Sequence, residues 1–131
     1  FYLGVARSKS GDLAGAAEAL EQSLKLAPGQ FEARSLLGDI YRRSGELKKA
    51  ADQYEAAVLM QPENSGVRLE LGRVLLSDKE YAAAVRQLEQ VTRLQPKLAE
   101  TYVLLEQAYR GAGNAAEARK AAANAARLRQ R

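Results

Sequence analysis

Three prolines, Pro28, Pro62 and Pro96, stand 34 residues apart, and the chain has no others. Other residue types return in the same phase. Leu3-Gly4, Leu37-Gly38 and Leu71-Gly72 recur at that interval, and Leu105 continues the series. Ala16, Ala50, Ala84 and Ala118 form a second series, followed by large apolar residues at Leu20, Tyr54 and Leu88. Ser23, Ala57, Val91 and Ala125 form a third series of smaller residues. So many coincident series at one period mean that a single structural unit is repeated, because each position must meet the same packing demand every time it returns.

Each period reads as two helices. Residues 31–43 carry Leu36, Leu37, Ile40 and Tyr41 on one helical stripe, and residues 47–60 carry Leu47, Ala50, Ala51, Tyr54, Ala57 and Val58. Ser44-Gly45 breaks the pattern between them, since glycine readily takes the positive φ that ends a helix. Pro62 stops the second helix, and Asn64 is placed to cap the next. Breakers in the other periods fall at Ser10-Gly11, Ser77-Asp78 and Gly111–Asn114. No segment alternates with the two-residue period of a strand. Ala and Leu, both good helix formers, supply a third of the chain. The expectation is eight short helices in four antiparallel pairs.

The joint pattern resembles the tetratricopeptide repeat, W-x2-L-G-x2-Y…A-x3-F…P over 34 residues. Residues 31–64 match best, with Leu37-Gly38, Tyr41, Ala50, Tyr54, Ala57 and Pro62; Arg34 replaces the leading Trp. Residues 65–98 keep Leu71-Gly72, Ala84 and Pro96, with Leu75 and Leu88 at the aromatic positions. Residues 99–131 hold Tyr102, Leu105, Tyr109, Ala118 and Ala125. Residues 1–30 begin partway into a first helix, so the native protein is expected to continue upstream of Phe1. The resemblance implies a single all-α domain over 1–131, a right-handed α-solenoid of antiparallel helix pairs wound into a superhelix.

Physics supports the phase. Helices approach to about 8 Å only where small residues face each other, so Gly38 is expected to meet Ala50 and Ala57. One pair cannot cover its own apolar face, which makes stacking obligatory. The last repeat departs from the pattern: Glu106 stands where the others have Gly, and Ala122 where they have a large apolar residue. The Ala-rich helix 115–128, closing with Arg127, Arg129 and Arg131, reads as a cap.

Composition removes most catalytic chemistry. Cys and His are absent, which leaves no thiol nucleophile, thiolate metal site or imidazole base. Most carboxylates lie on polar helix faces, several with a basic partner four residues on: Glu21–Lys25, Asp39–Arg43, Glu89–Arg93 and Glu106–Arg110. These read as ordinary surface pairs. Gly111-Ala112-Gly113-Asn114-Ala115-Ala116 fits a loose phosphate fingerprint, but it follows a helical stripe rather than a strand. The expectation is no enzyme, no cofactor and no metal site.

Net charge is +4 and the isoelectric point about 9.5, so nucleic acid must be weighed. By repeat the charge runs 0, −1, +2 and +3, with acids interspersed. No aromatic platform alternates with the basic residues, which argues against base stacking. No run reaches the length of a membrane span.

Binding of a protein or peptide, the usual role of the family, is therefore expected. The alternative is an interaction or targeting arm of a larger enzyme or assembly. The resemblance places the first helix of each pair on the concave face of the superhelix. The candidate groove residues are Lys9, Arg42, Arg43, Leu69, Arg73, Leu76, Val103 and Arg110. Apolar anchors mixed with cations suit an acidic or amphipathic peptide. Arg43 and Arg110 have acids one turn earlier; Lys9, Arg42 and Arg73 do not, which favours them as ligand contacts. The lysine–asparagine–arginine clamp of chaperone-binding relatives and the asparagine ladder of sugar-transferring ones are both missing. The first repeat, with its apolar surface uncovered, is a possible self-association face.

Overall fold

In the computed structural model, which describes residues 1–9 and 11–130, every regular element is helical. The eight helices among the described residues are α1 (Tyr2–Lys9), α2 (Leu13–Leu26), α3 (Phe31–Arg43), α4 (Leu47–Met60), α5 (Ser65–Ser77), α6 (Tyr81–Leu94), α7 (Ala99–Gly111) and α8 (Ala115–Arg129). Ser10 of the first breaker and Arg131 of the closing cations lie outside the described residues. The helices gather into two compact units, Phe1–Pro62 and Glu63–Arg131, each holding two helix pairs. In the first, α1 packs on α2, α2 on α3 and α3 on α4; in the second, α5 packs on α6, α6 on α7 and α7 on α8. The fold is of the all-α, helical-repeat solenoid class.

The turns inside the pairs follow one recipe. Gly11, Gly45 and Gly113 take φ of 87°, 78° and 82°. At Gly45 the two hydrogen bonds of a Schellman closure form: Gly45 N donates to Arg42 O at 3.0 Å and Glu46 N to Tyr41 O at 2.8 Å. The residue after the glycine position then opens the next helix, where Asp12 and Asn114 accept from Gly15 N at 3.0 Å and Glu117 N at 3.3 Å. The third turn differs from expectation. Asp78 is its helix cap, but the left-handed residue is Lys79, at φ 61°. It carries the same two bonds, from Lys79 N to Leu76 O and Glu80 N to Leu75 O. A side chain thus sits where the other turns use glycine.

Between pairs the prolines act as expected. The residues before them, Ala27, Gln61 and Gln95, are held at φ of −143°, −135° and −136°, the extended conformation that a following proline imposes. Asn64 caps α5 by accepting from Val67 N at 3.2 Å.

Close packing inside the first three pairs depends on glycine, though with a different partner from the one expected. Ala50 and Ala57 are fully buried, but the surface over Gly38 is the ring of Tyr54. A Cβ on Gly38 would stand 2.7 Å from Tyr54 Cε1; on Gly72, 2.7 Å from Leu88 Cδ2; on Gly4, 2.6 Å from Leu20 Cγ. Each glycine lies under a large residue sixteen positions later. Glu106 and Ala122 have the same separation with the sizes inverted. The Glu106 side chain remains partly exposed and pairs with Arg110 at 2.8 Å, so its carboxylate does turn outward.

Relieving the left-handed strain at the third turn should stabilise the protein. Lys79→Gly is expected to raise unfolding free energy by about 0.5–1 kcal/mol, the left-handed penalty less the entropy glycine adds to the unfolded chain. Urea unfolding checks it; a lowered midpoint would contradict the assignment of this position.

Candidate functional site: the first-helix faces

The two units present their first helices separately. In the unit Phe1–Pro62, Lys9, Arg42 and Arg43 are exposed near the ends of α1 and α3. Arg43 does not take Asp39; its Nη1 donates to the buried Ser8 Oγ at 3.3 Å, tying α3 to α1. Asp39 instead accepts from the hydroxyl of Tyr54, which Arg42 also contacts.

In the unit Glu63–Arg131, Arg73, Leu76 and Ser77 of α5, Tyr81 of α6, and Leu104 and Gln107 of α7 line an open recess of about 480 Å³. Leu69 and Val103 lie half-buried on the same two helices. The Tyr81 ring lies against Gly111, where a Cβ would collide with it. Arg73 is not the unengaged cation that the spacing implied. Its Nη1 bonds Glu70 at 2.6 Å, one turn back at i−3, and its Nη2 bonds Glu100 on α7. Of the expected candidates, Arg73 and Leu76 meet in the recess; Leu69, Val103 and Arg110 do not line it.

The expected surface pairs are largely replaced. Of the four, only Glu106–Arg110 forms among the described residues. Glu21 accepts from the Tyr41 hydroxyl on the next repeat, and 68 residues on the charge of Glu89 acts on the Tyr109 phenol. Arg93 reaches Gln90 at 2.9 Å and Glu63 at 3.4 Å. The reason is location. A carboxylate beside a half-buried hydroxyl gains a charge-assisted hydrogen bond of about 1.5–3 kcal/mol, against about 0.2–0.5 for an exposed pair within a helix.

These partners shift the phenols. Burial, then the hydrogen bond and the charge of Glu21, push Tyr41 well above the usual tyrosine value. Burial and Asp39 do the same to Tyr54, with Arg42 opposing. Burial, followed by the charges of Glu89 and Glu117, raises Tyr109.

The sequence reading missed a further series. Arg34 occupies the tryptophan position of its repeat, and its Nη1 donates to Gln53 Oε1 at 3.2 Å; Arg68 and Gln87 repeat the contact at 2.9 Å. In the last repeat Tyr102 stands there and donates to the Pro96 carbonyl at 3.1 Å. The guanidinium joins the two helices through a polar bridge in place of an aromatic ring. The 19-residue spacing of Arg and Gln, repeated once, was the available signal.

Among the described residues no group of acidic side chains is placed to hold a metal, and no helix is long and apolar enough to cross a membrane. Tyr2, Leu3 and Leu26 are exposed, so the first repeat does carry uncovered apolar surface.

Paired helices under one stride define a helical-repeat protein of the kind that serves as an interaction scaffold. The chain belongs to the tetratricopeptide-repeat family: two models of that repeat match residues 3–65 and 42–100. Among solved structures it is similar to MamA, with a TM-score of 0.90 at 24% identity, over 96% of this chain and 74% of that one. MamA AMB-1 gives 0.93 at 25% identity, over 98% and 70% of the two chains, and MamA MSR-1 gives 0.89 at 24%, over 98% and 74%. No curated protein matches the sequence.

Tyrosine ionisation checks the hydroxyl–carboxylate pairs. Unfolded phenols ionise near pH 10. Because the folded values are raised, the native chain holds more protons above that pH, so stability is intact below about pH 10 and falls as pH rises beyond it. An absorbance titration at 295 nm should show Tyr41, Tyr54 and Tyr109 ionising above the pH at which unfolded phenols do. Ionisation of these three near pH 10 with helicity intact would refute the pairing.

Proposed function

We infer that this protein is a non-catalytic scaffold that binds a protein partner through the exposed faces of its first helices. Family membership supports the scaffold role. The observation that carries the choice of face is the α5–α7 recess, where half-buried Leu76, Leu104 and Tyr81 are accessible beside charged side chains. Apolar surface flanked by ionic groups can anchor a peptide side chain and fix its register. In the other unit, Lys9, Arg42 and Arg43 offer exposed cations at the ends of α1 and α3. The second helices put their large residues, Leu20, Tyr54 and Leu88, into the pairs, and their exposed apolar residues Leu26, Leu59 and Met60 stand at the C-terminal ends of α2 and α4.

Capture from a cell extract on the immobilised chain tests the assignment. Leu76→Ser should abolish recovery of the specific partner, whereas Arg86→Glu, on the exposed side of α6, should leave it unchanged. Circular dichroism should be the same for both. Loss with Arg86→Glu and retention with Leu76→Ser would move the interaction to the other face.

A further inference from the structure

We propose that the outward face of α8 docks an acidic helix of a partner protein. This surface is separate from the first-helix faces and goes beyond that reading. Earlier repeats show what the corresponding face of a second helix does. α2 turns Glu21, Leu24 and Lys25 toward the helix that follows it: Glu21 accepts from the Tyr41 hydroxyl, and Leu24 and Lys25 border one recess with Leu37 of α3. In α6 the same positions hold Glu89, Thr92 and Arg93, and the charge of Glu89 acts on Tyr109 of α7. Both seams carry an acid and a cation. In α8 the corresponding residues are Ala123, Ala126 and Arg127, so the acid is gone and the cation remains. One turn earlier, Arg119 stands where α2 has Ala17 and α6 has Val85.

Arg119, Ala123, Ala126 and Arg127 share one side of the helix by their spacing, and all four are exposed. The opposite side buries Ala118, Ala121 and Ala125. The helix has four cations against one acid, and that acid is engaged elsewhere: Glu117 pairs with Lys120 at 3.2 Å and acts on Tyr109. Arg127 bonds the neutral Asn124 at 3.2 Å, and Arg119 and Arg129 have no partner among the described residues.

Helices approach to about 8 Å where small residues face each other, and Ala123 and Ala126 leave that room. A partner helix with leucine over the alanines and glutamate beside the guanidinium groups would supply what this face lacks. A second copy is a poorer match. Its α1, which carries the exposed Tyr2 and Leu3, holds Arg7 and Lys9 and no acid, so cation would meet cation. The face has no large apolar side chain to enter a lipid surface and no aromatic ring on which bases could stack. Because the charges are exposed, salt should weaken the attraction.

The test uses the 131-residue chain and two blocked alanine-based helical peptides. One carries leucine and glutamate along one side; its twin has lysine in place of glutamate. Backbone amide shifts of Arg119, Ala123, Ala126 and Arg127 report occupancy at low ionic strength. The acidic peptide is expected to move these signals and to bind more tightly than its twin, and Arg119→Gln should weaken it about two- to fivefold. The double variant Arg119→Glu with Arg127→Glu should prefer the lysine twin, a reversal that loss of folding could not mimic.

Equal or tighter binding of the lysine twin to the unaltered chain would overturn the proposal, as would silence of these signals with both peptides. Shifts caused by a short DNA duplex or by phosphatidylglycerol vesicles, but not by the acidic peptide, would replace the partner helix with a general polyanion. Shifts that grow with protein concentration alone would replace it with a second copy. None of these outcomes touches the first-helix reading, which partner capture on the Leu76→Ser variant decides separately.

Discussion

Two helices can close only as far as the bulkiest side chain between them permits, and in this protein that limit is set by a glycine beneath a large residue. Gly4 lies under Leu20, Gly38 under Tyr54 and Gly72 under Leu88, each with no room for a Cβ. The large residue gains burial, about 1.5–3 kcal/mol for a side chain fully removed from water, and the glycine lets the partner helix come near enough to provide it. The fully buried alanines at 16, 50 and 84 lie on the same helices and keep the seam narrow. In the last repeat the sizes trade places as Glu106 and Ala122, so the volume requirement can be met from either side while the sixteen-residue separation is kept.

Polar contacts add a second rule at the same stride. Carboxylates that would sit idle on an isolated helix accept tyrosine hydroxyls where helices meet: Glu21 from Tyr41 across adjacent repeats, Asp39 from Tyr54 within one. Arg34 and Arg68 bridge the two helices of their repeats through Gln53 and Gln87. These bonds are directional where apolar contacts are not, and the Arg–Gln bridge recurs after 34 residues. A repeat can thus lose its consensus tryptophan and still hold its helices in register. On the first-helix face the same economy leaves few idle charges, and Arg73 in particular is committed within the fold.

The helices were legible because their signals are local. The stripes over 31–43 and 47–60 and the breakers around them give the observed boundaries, and the prolines mark each repeat end. The left-handed residue of the third turn was not legible from composition, since Lys is a poor choice there; only the phase from Gly11, Gly45 and Gly113 points to it. Glu21, Asp39 and Glu89 each had a basic residue four positions on, so an ordinary surface pair concealed the tyrosine that tertiary packing brought up. Arg73 was misjudged for a related reason. The spacing tested only the residue four back, whereas its partners are Glu70 three back and Glu100 on a different helix. Partners supplied across the fold leave little trace in any short window.

The size relation between facing positions is tested most directly by a double-mutant cycle at Gly72 and Leu88, read by urea unfolding. Gly72→Leu alone should cost about 1–3 kcal/mol through overpacking, and Leu88→Ala alone about 2–5 kcal/mol through the cavity left behind. Together they reproduce the inverted sizes of the last repeat, so the double variant should be more stable than the two losses predict, by at least about 1 kcal/mol. Simple additivity of the two would contradict the account.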